Sequence, residues 1–186
     1  MYNNTVFVTN RHLVKGDFLE QIKKVLELKP EAIILREKDL SEAEYEKLGK
    51  KVLRLCKEKN IPCYFNTFVN VAIKLHADGI QVPFDLFCLM VPEEMKQSGR
   101  VGVSVSTAEE AKIAEHRGAD FLIYGDIFLT DSPKDVEPKG TDALKKICRN
   151  AGIPVFAMGG INEENQDQCF EAGAACVCRM PPLMEK

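Results

Sequence analysis

Residues 155–165 read VFAMGGINEEN. An apolar run ends at Met158, a glycine pair follows, and the polar residues from 163 onward have a helical pattern. A strand that ends at two glycines and leads into a helix can hold an anion with its backbone N–H groups. We therefore interpret Gly159 and Gly160 as a candidate phosphate site at the end of a strand.

The same alternation of strand and helix extends along the rest of the chain. The β-type runs are 5–10, 32–37, 62–66, 79–83, 100–105, 120–125, 154–160 and 174–180. The helical patterns between them are 17–28, 41–60, 68–76, 92–97, 107–118, 141–150 and 163–173. Eight alternating units predict an α/β protein with a (β/α)₈ TIM barrel, and an open doubly wound sheet is the alternative if six or fewer runs are strands.

The barrel predicted for this chain is short. Its 186 residues suit one domain, 1–186, whereas typical barrels have about 250 residues. Because Met180 is followed by only 6 residues, we expect the barrel to lack a full eighth helix. The apolar outer face left by that helix predicts a homodimer, or else a frayed edge.

Composition excludes several classes of partner. The net charge of −3 gives no electrostatic reason to bind nucleic acid or an anionic membrane. No apolar run approaches the roughly 20 residues of a membrane span, and the first residues lack the pattern of a signal peptide, so we expect a cytoplasmic protein. The 7 cysteines include no CxxC pair and are interpreted as reduced, mostly buried thiols.

Active sites of barrels lie at the carboxyl ends of the strands, and this rule selects the candidate residues. Four basic side chains are expected there, which suits a polyanionic substrate: Arg36, Lys38, Lys134 and Arg179. Polar candidates at other strand ends are Asn66, Ser104, Asp126 and Thr130. Neither a Ser-His-Asp pattern nor metal-ligand spacing is present. Alone, these charges are equally consistent with solvated strand ends.

Several motifs occur in a familiar order: ILREK, FNTFVNVA, VGVSVSTAEEA, RGADFLIYGDIFLTD, IPVFAMGGI and EAGAACV. Together they resemble the thiamine phosphate synthase/TenI superfamily over nearly the whole chain. The resemblance implies a (β/α)₈ barrel, usually dimeric, that takes part in thiamine biosynthesis. The synthase joins hydroxymethylpyrimidine pyrophosphate to thiazole phosphate with Mg²⁺ and releases pyrophosphate. The TenI-type branch includes a metal-free thiazole tautomerase.

The resemblance also implies roles for individual residues. Arg36 and Lys38 match contacts to pyrophosphate and pyrimidine, and Thr130 and Lys134 match a substrate loop. Asn66 and Ser104 match substrate-binding positions, and the glycine pair matches the thiazole-phosphate site. Arg179 and Met180, at the end of the last strand, complete the phosphate-binding candidates.

Departures from the family pattern leave the activity open. Thr67 stands where the family has a metal-binding Asp, and a hydroxyl is a poorer Mg²⁺ ligand than a carboxylate. Asp85 is the candidate that remains for the metal, and the missing Asp makes the chain more similar to the TenI-type branch there. Ser106 replaces that branch's catalytic His, which leaves Asp126 as the acid/base candidate. The alternatives are a transferase of synthase type, an isomerase resembling the tautomerase, and a non-catalytic phosphate-ligand-binding or regulatory paralogue.

Overall fold

Eight parallel strands form a closed barrel in the order β1 to β8, in a computed structural model that describes residues 2, 4–130 and 137–180. The strands are β1 Thr5–Val8, β2 Ala32–Leu35, β3 Cys63–Asn66, β4 Gly79–Pro83, β5 Arg100–Val105, β6 Phe121–Tyr124, β7 Val155–Met158 and β8 Cys176–Arg179. The predicted TIM barrel is therefore confirmed, and the doubly wound sheet is excluded.

Helices alternate with the strands, as expected for this fold. They are α1 Phe18–Glu27, α2 Glu42–Glu58, α3 Val69–Leu75, α4 Phe84–Leu89, α5 Pro92–Gln97, α6 Ala108–His116, α7 Gly140–Asn150 and α8 Gln166–Glu171. A short 3₁₀ turn, Arg11–Leu13, follows β1. Within the described residues, no helix is long and apolar enough to cross a membrane.

Local sequence signals fix where three helices begin. The Asp17 carboxylate accepts a hydrogen bond from the Glu20 N–H and caps α1. Ser41 and Glu44 form the predicted capping box of α2, in which each side chain bonds the other's backbone N–H. Thr107 caps α6 through the N–H of Glu110.

Contacts divide the chain into two compact units. The first contains the described residues up to Gln81 together with Met90–Arg100 and Met180. All residues of β1, β2 and β3 are buried, since the strands are covered on both faces. In register, Phe7 lies beside Ile33, and Asn66 lies beside Gln81. Asn66, the last residue of β3, is therefore level with Gln81, and β4 continues beyond it to Pro83.

The second unit contains Val82–Leu89 and Val101–Arg179. Strand β6 pairs with β5 and β7, and β7 pairs with β8. The rings of Phe121 and Phe156 stack with centroids 4.6 Å apart. Gly102 is required beside them, since a Cβ at this position would overlap the Phe121 ring.

Some element bounds differ from the sequence prediction. Helix α4 was not predicted, and α8 begins at Gln166 instead of residue 163 because Asn162 and Asn165 first close a side-chain-capped turn. All 7 cysteines are free, and 5 of them are buried, as expected. The segment after Met180 lies outside the described residues, so the missing eighth helix stays a prediction, as does the single domain.

Candidate functional site

The carboxyl end of β2 presents basic side chains on either side of a buried acid. Arg36 and Lys38 are exposed, whereas Glu37 between them is only 2% exposed. Glu37 accepts hydrogen bonds from the Thr9 hydroxyl, at 2.7 Å, and from the Arg11 N–H, at 3.0 Å. The inward turn of Glu37 thus fixes the chain at this point and leaves its two basic neighbours facing solvent.

Arg11 links the Glu37 carboxylate to that of Asp39, two residues further along the chain. Its guanidinium donates to Glu37, at 3.1 Å, and to Asp39, and His12 contacts the same Asp39 carboxylate at 3.0 Å. The hydrogen bond to Asp39, with a further one to Glu37, raises the pKa of Arg11. Arg11, and then His12, lowers the pKa of Asp39. The sequence did not predict the pairing of Arg11 with Glu37 and Asp39, because it joins residues 26 to 28 positions apart.

Arg36 differs from Arg11 in its contacts. Its backbone N–H donates to the Thr9 hydroxyl at 3.0 Å. Among the described residues, no carboxylate forms an ion pair with its guanidinium. An exposed guanidinium on an anchored backbone is suited to an anionic ligand.

Tyr45 of α2 ties the end of β2 to the end of β3. Its side chain is fully buried, and its hydroxyl donates to the Leu35 carbonyl at 2.6 Å and accepts from the Asn66 N–H at 3.0 Å. Burial raises the pKa of Tyr45, so the hydroxyl keeps its proton. Tyr45 is a positioning residue that the sequence did not single out.

Asn66 and Thr67 close β3 in a compact turn. The Asn66 amide nitrogen donates to Gln81, at 2.7 Å to the side-chain oxygen and 3.2 Å to the backbone carbonyl. The Thr67 N–H donates to the same carbonyl at 3.0 Å. Thr67 has φ of 72°, a left-handed conformation that a β-branched residue rarely adopts. Such strain is typical of functional sites.

The donor set does not fit the Mg²⁺ that the resemblance implied. In the described part of the chain, no group of three or more His, Cys, Asp or Glu side chains is placed to hold a metal ion. Thr67 offers a single neutral oxygen. Asp85, the metal candidate, is an exposed residue in the first turn of α4.

In the second unit, the end of β6 carries the acid/base candidate Asp126. This residue has φ of 59°, and its carboxylate lies 3.8 Å from the Lys139 ammonium. The same ammonium lies over the Tyr124 ring, 4.7 Å from its centroid. Desolvation, with the Asp126 charge, raises the pKa of Tyr124. Lys139 is thus a basic residue beside Asp126 that the sequence did not single out.

The glycine pair after β7 packs tightly against the loop that follows β6. Gly159 and Gly160 have φ of 107° and 61°. A Cβ on Gly159 would lie 2.8 Å from the Asp126 nitrogen, and one on Gly160 would lie 2.8 Å from the Phe128 carbonyl oxygen. Close approach of two backbones therefore requires both glycines. Because α8 begins only at Gln166, its N-terminus does not directly continue the pair.

Arg179 ends β8 next to the turn that follows the glycines. Its side chain is 2% exposed and lies 3.2 Å from the Glu163 carboxylate and 3.4 Å from the Gln166 amide oxygen. Ser104 is half-buried in β5, and Thr130 and Met180 are exposed. The predicted residue Lys134 lies outside the described residues. The first unit therefore holds Arg36, Lys38 and Asn66, and the second holds Ser104, Asp126, the glycine pair and Arg179.

The closed barrel defines the chain as a (β/α)₈ protein, and comparison with known proteins identifies the family. The family model described as "Thiamine monophosphate synthase" matches residues 5–182. The chain belongs to this family of thiamine biosynthesis, and its curated relatives are named as synthases, which are transferases.

Two relatives and one solved structure illustrate the similarity. The "Putative thiamine-phosphate synthase 2" of Aquifex aeolicus is 34% identical over 96% of this chain and 96% of the relative. The thiamine-phosphate synthase of Clostridium tetani is 38% identical over 96% of this chain and 87% of the relative. The structure of thiamine phosphate pyrophosphorylase from Pyrococcus furiosus aligns with a TM-score of 0.83 and 29% identity, covering 98% of this chain and 89% of that one.

Proposed function

We propose that the protein is a thiamine-phosphate synthase that couples hydroxymethylpyrimidine pyrophosphate with thiazole phosphate. The observation that carries this proposal is the arrangement at the end of β2, where buried Glu37 anchors the backbone between exposed Arg36 and Lys38. Similarity to thiamine-phosphate synthases over most of their length supports it.

The chemistry proposed for these residues is electrostatic. Pyrophosphate leaves the pyrimidine methylene carbon, and the thiazole nitrogen captures the resulting carbocation. Negative charge grows on the leaving group, so preorganised cations lower the barrier. We assign this role to Arg36 and Lys38; Lys134, the other basic residue predicted to be catalytic, lies outside the described residues. Anchoring by Glu37 limits the reorganisation of Arg36 during the reaction.

We assign the thiazole phosphate to the turn after β7 and the end of β8. Arg179 supports this assignment, because its buried guanidinium lies beside the segment that follows Gly160. Glu163, its carboxylate partner, is 64% exposed and can turn to solvent when a phosphate replaces it. Ser104, Thr130 and Met180 are proposed as additional contacts.

A second candidate function is supported by the neutral Thr67 and by the strained Asp126. A metal-free isomerase resembling the thiazole tautomerase, or a non-catalytic phosphate-binding paralogue, needs no carboxylate at position 67. In the isomerase, Asp126 would carry the proton beside Lys139. We predict that Asp126→Asn abolishes isomerisation while leaving the affinity for thiazole phosphate within about threefold, measured by proton exchange in NMR and by calorimetry.

The deciding experiment measures thiamine phosphate formation from the two substrates, with Mg²⁺ and with a chelator. A synthase gives product, and Arg36→Met lowers kcat by at least about 100-fold, the scale of one lost electrostatic contact in a transition state. Lys15→Met, at an exposed position outside the candidate set, is the matched control. No product in either buffer, with thiazole phosphate still bound, rejects the synthase in favour of the second candidate.

We also propose that the protein is a homodimer, as the resemblance to its family implies. Light scattering during size-exclusion chromatography tests this, and a mass near the 20.9 kDa of one chain rejects it.

A further inference from the structure

The Lys139 ammonium is mostly covered by protein and yet donates no hydrogen bond. Its side chain is 26% exposed, and the Asp126 carboxylate oxygen lies 3.8 Å away, which is too far for a hydrogen bond. Among the residues that the structure describes, no group accepts a hydrogen bond from this ammonium. An ammonium has three N–H donors, and covering them without acceptors is unfavourable. The arrangement therefore indicates an acceptor that a ligand supplies.

The surroundings of Lys139 hold its ammonium in place. Nζ lies 4.7 Å from the centroid of the Tyr124 ring, in a cation–π contact. The backbone is fixed as well, because the Lys139 N–H donates to Asp126 O at 2.7 Å and the Gly140 N–H donates to Ile127 O at 3.1 Å. A ring face attracts the charge but offers no oxygen lone pair. The ammonium is thus positioned while its N–H donors stay available.

The stability of α7 does not explain a lysine at this position. Lys139 is the N-cap residue of α7, and its side chain makes no capping hydrogen bond. A cation at this end of a helix is unfavourable, because the helix dipole is positive there. The ion pair with Asp126 adds little, since the Asp126 side chain is 54% exposed and exposed ion pairs are weak. These features favour a role in binding over a role in stability.

Lys139 and its partner Asp126 lie in the same unit as the glycine turn. Asp126 packs against Gly159, where a Cβ would lie 2.8 Å from the Asp126 nitrogen. The N–H groups of Ile127 and Phe128 already donate to carbonyls at the end of β7 and in the turn. They cannot donate to a phosphate oxygen without breaking those bonds, whereas the Lys139 ammonium can.

We infer that Lys139 determines the preference for a phosphorylated thiazole, by donating a hydrogen bond to the phosphate and offsetting the charge of Asp126. The inference rests on the proposed function, because thiazole phosphate is a substrate of that reaction. A lone carboxylate beside the glycine turn would repel a phosphate, so Lys139 removes a repulsion and adds an attraction. Arg36 and Lys38, assigned to the pyrophosphate, belong to the other unit. The effect of Lys139 is therefore limited to the thiazole partner.

Calorimetry with two probes tests this inference. One probe is thiazole phosphate, and the other is the corresponding thiazole alcohol, which lacks the phosphate. Lys139→Met should bind thiazole phosphate at least about 10-fold more weakly, the effect of losing a hydrogen bond between charged groups, and the alcohol as the wild-type protein does. Lys139→Arg, which keeps the charge, should retain most of the affinity. Lys145→Met, at an exposed position on the same helix, is the matched control and should bind like the wild-type protein.

A double variant distinguishes the direct contact from charge compensation alone. Asp126→Asn should tighten the binding of thiazole phosphate by up to about threefold, because a repelling charge is lost. Asp126→Asn combined with Lys139→Met should still bind at least about threefold more weakly than the wild-type protein, because the donor is absent. Full recovery in the double variant would overturn the inference, as would an unchanged affinity of Lys139→Met. So would a thermal unfolding midpoint of Lys139→Met that falls together with its affinity, because this would assign the loss to the fold.

The outcome for Lys139 is separable from that for the proposed function. If the affinity for thiazole phosphate depends on Lys139 but no thiamine phosphate forms with or without Mg²⁺, the inference stands and the synthase proposal fails. If thiamine phosphate forms and Lys139→Met has an unchanged KM for thiazole phosphate, the synthase proposal stands and the inference fails.

Discussion

Replacing Tyr45 with phenylalanine tests how the ends of β2 and β3 are held together. The substitution removes one oxygen and leaves the ring in place between Phe65 and Phe68, whose centroids lie 5.5 and 4.2 Å from it. Two buried backbone groups, Leu35 C=O and Asn66 N–H, then lose their partner.

The magnitude follows from these two groups. Each orphaned backbone group costs about 1–3 kcal/mol, which gives an upper range of about 2–6 kcal/mol, and structural relaxation lowers it to about 2–4 kcal/mol. For a chain of this size, about 2–4 °C of melting temperature is lost per kcal/mol, so we expect a fall of about 4–16 °C. Because Asn66 also shifts, the KM for the pyrimidine substrate should rise.

The assay is equilibrium unfolding in urea followed by far-ultraviolet circular dichroism, with the slope m unchanged between variants. Tyr64→Phe is the matched control, since the Tyr64 hydroxyl meets the guanidinium of exposed Arg100 at a longer 3.3 Å. We expect the control to lose less than about 1 kcal/mol. A loss for Tyr45→Phe that equals the loss for the control would refute this account of the strand ends.

Two further predictions concern a glycine and a surface acid. Gly160→Ala should destabilise the protein by at least about 1 kcal/mol, because φ is 61° and the new Cβ would meet Phe128 O. Gly125→Ala, with open space around it, should change the unfolding midpoint little; equal losses would contradict the packing argument. Hydrogen bonds from Lys50 and Lys74 lower the pKa of Glu46 to about 2. The wild-type protein should therefore be slightly more stable than Glu46→Gln at neutral pH. The difference should vanish as pH falls from about 4.3 to 2, and a difference that persists in acid would reject the ion pair as its cause.

The sequence was sufficient to predict the barrel because each strand is a short buried run between helical patterns. Helix starts were predicted where a side chain caps the backbone locally, as at Ser41. Helix α4 was missed because Phe84–Leu89 has neither a capping signal nor a polar face. Strand β2 also ended earlier than predicted, since the Arg36 N–H donates to the Thr9 hydroxyl.

The candidate site was predicted only in part, for a physical reason. Strand ends can be found from a linear pattern, and they gave Arg36, Asn66 and Asp126. The groups that position them are distant in sequence. The Arg11 guanidinium donates to the Glu37 carboxylate, and the Tyr45 hydroxyl accepts from the Asn66 N–H. Only the fold brings such pairs together, so their roles had no signal in the sequence.

The contact between the glycine turn and the loop after β6 has a consequence for protein engineering. Phe128 N–H donates to Gly159 O, Ile127 N–H donates to Met158 O, and neither glycine has room for a side chain. A chimaera that takes only one of these loops from a relative would lose part of the close contact between the two backbones. Transplanting both segments together keeps these matched contacts, so residues 126–129 and the glycine pair should be exchanged as one unit.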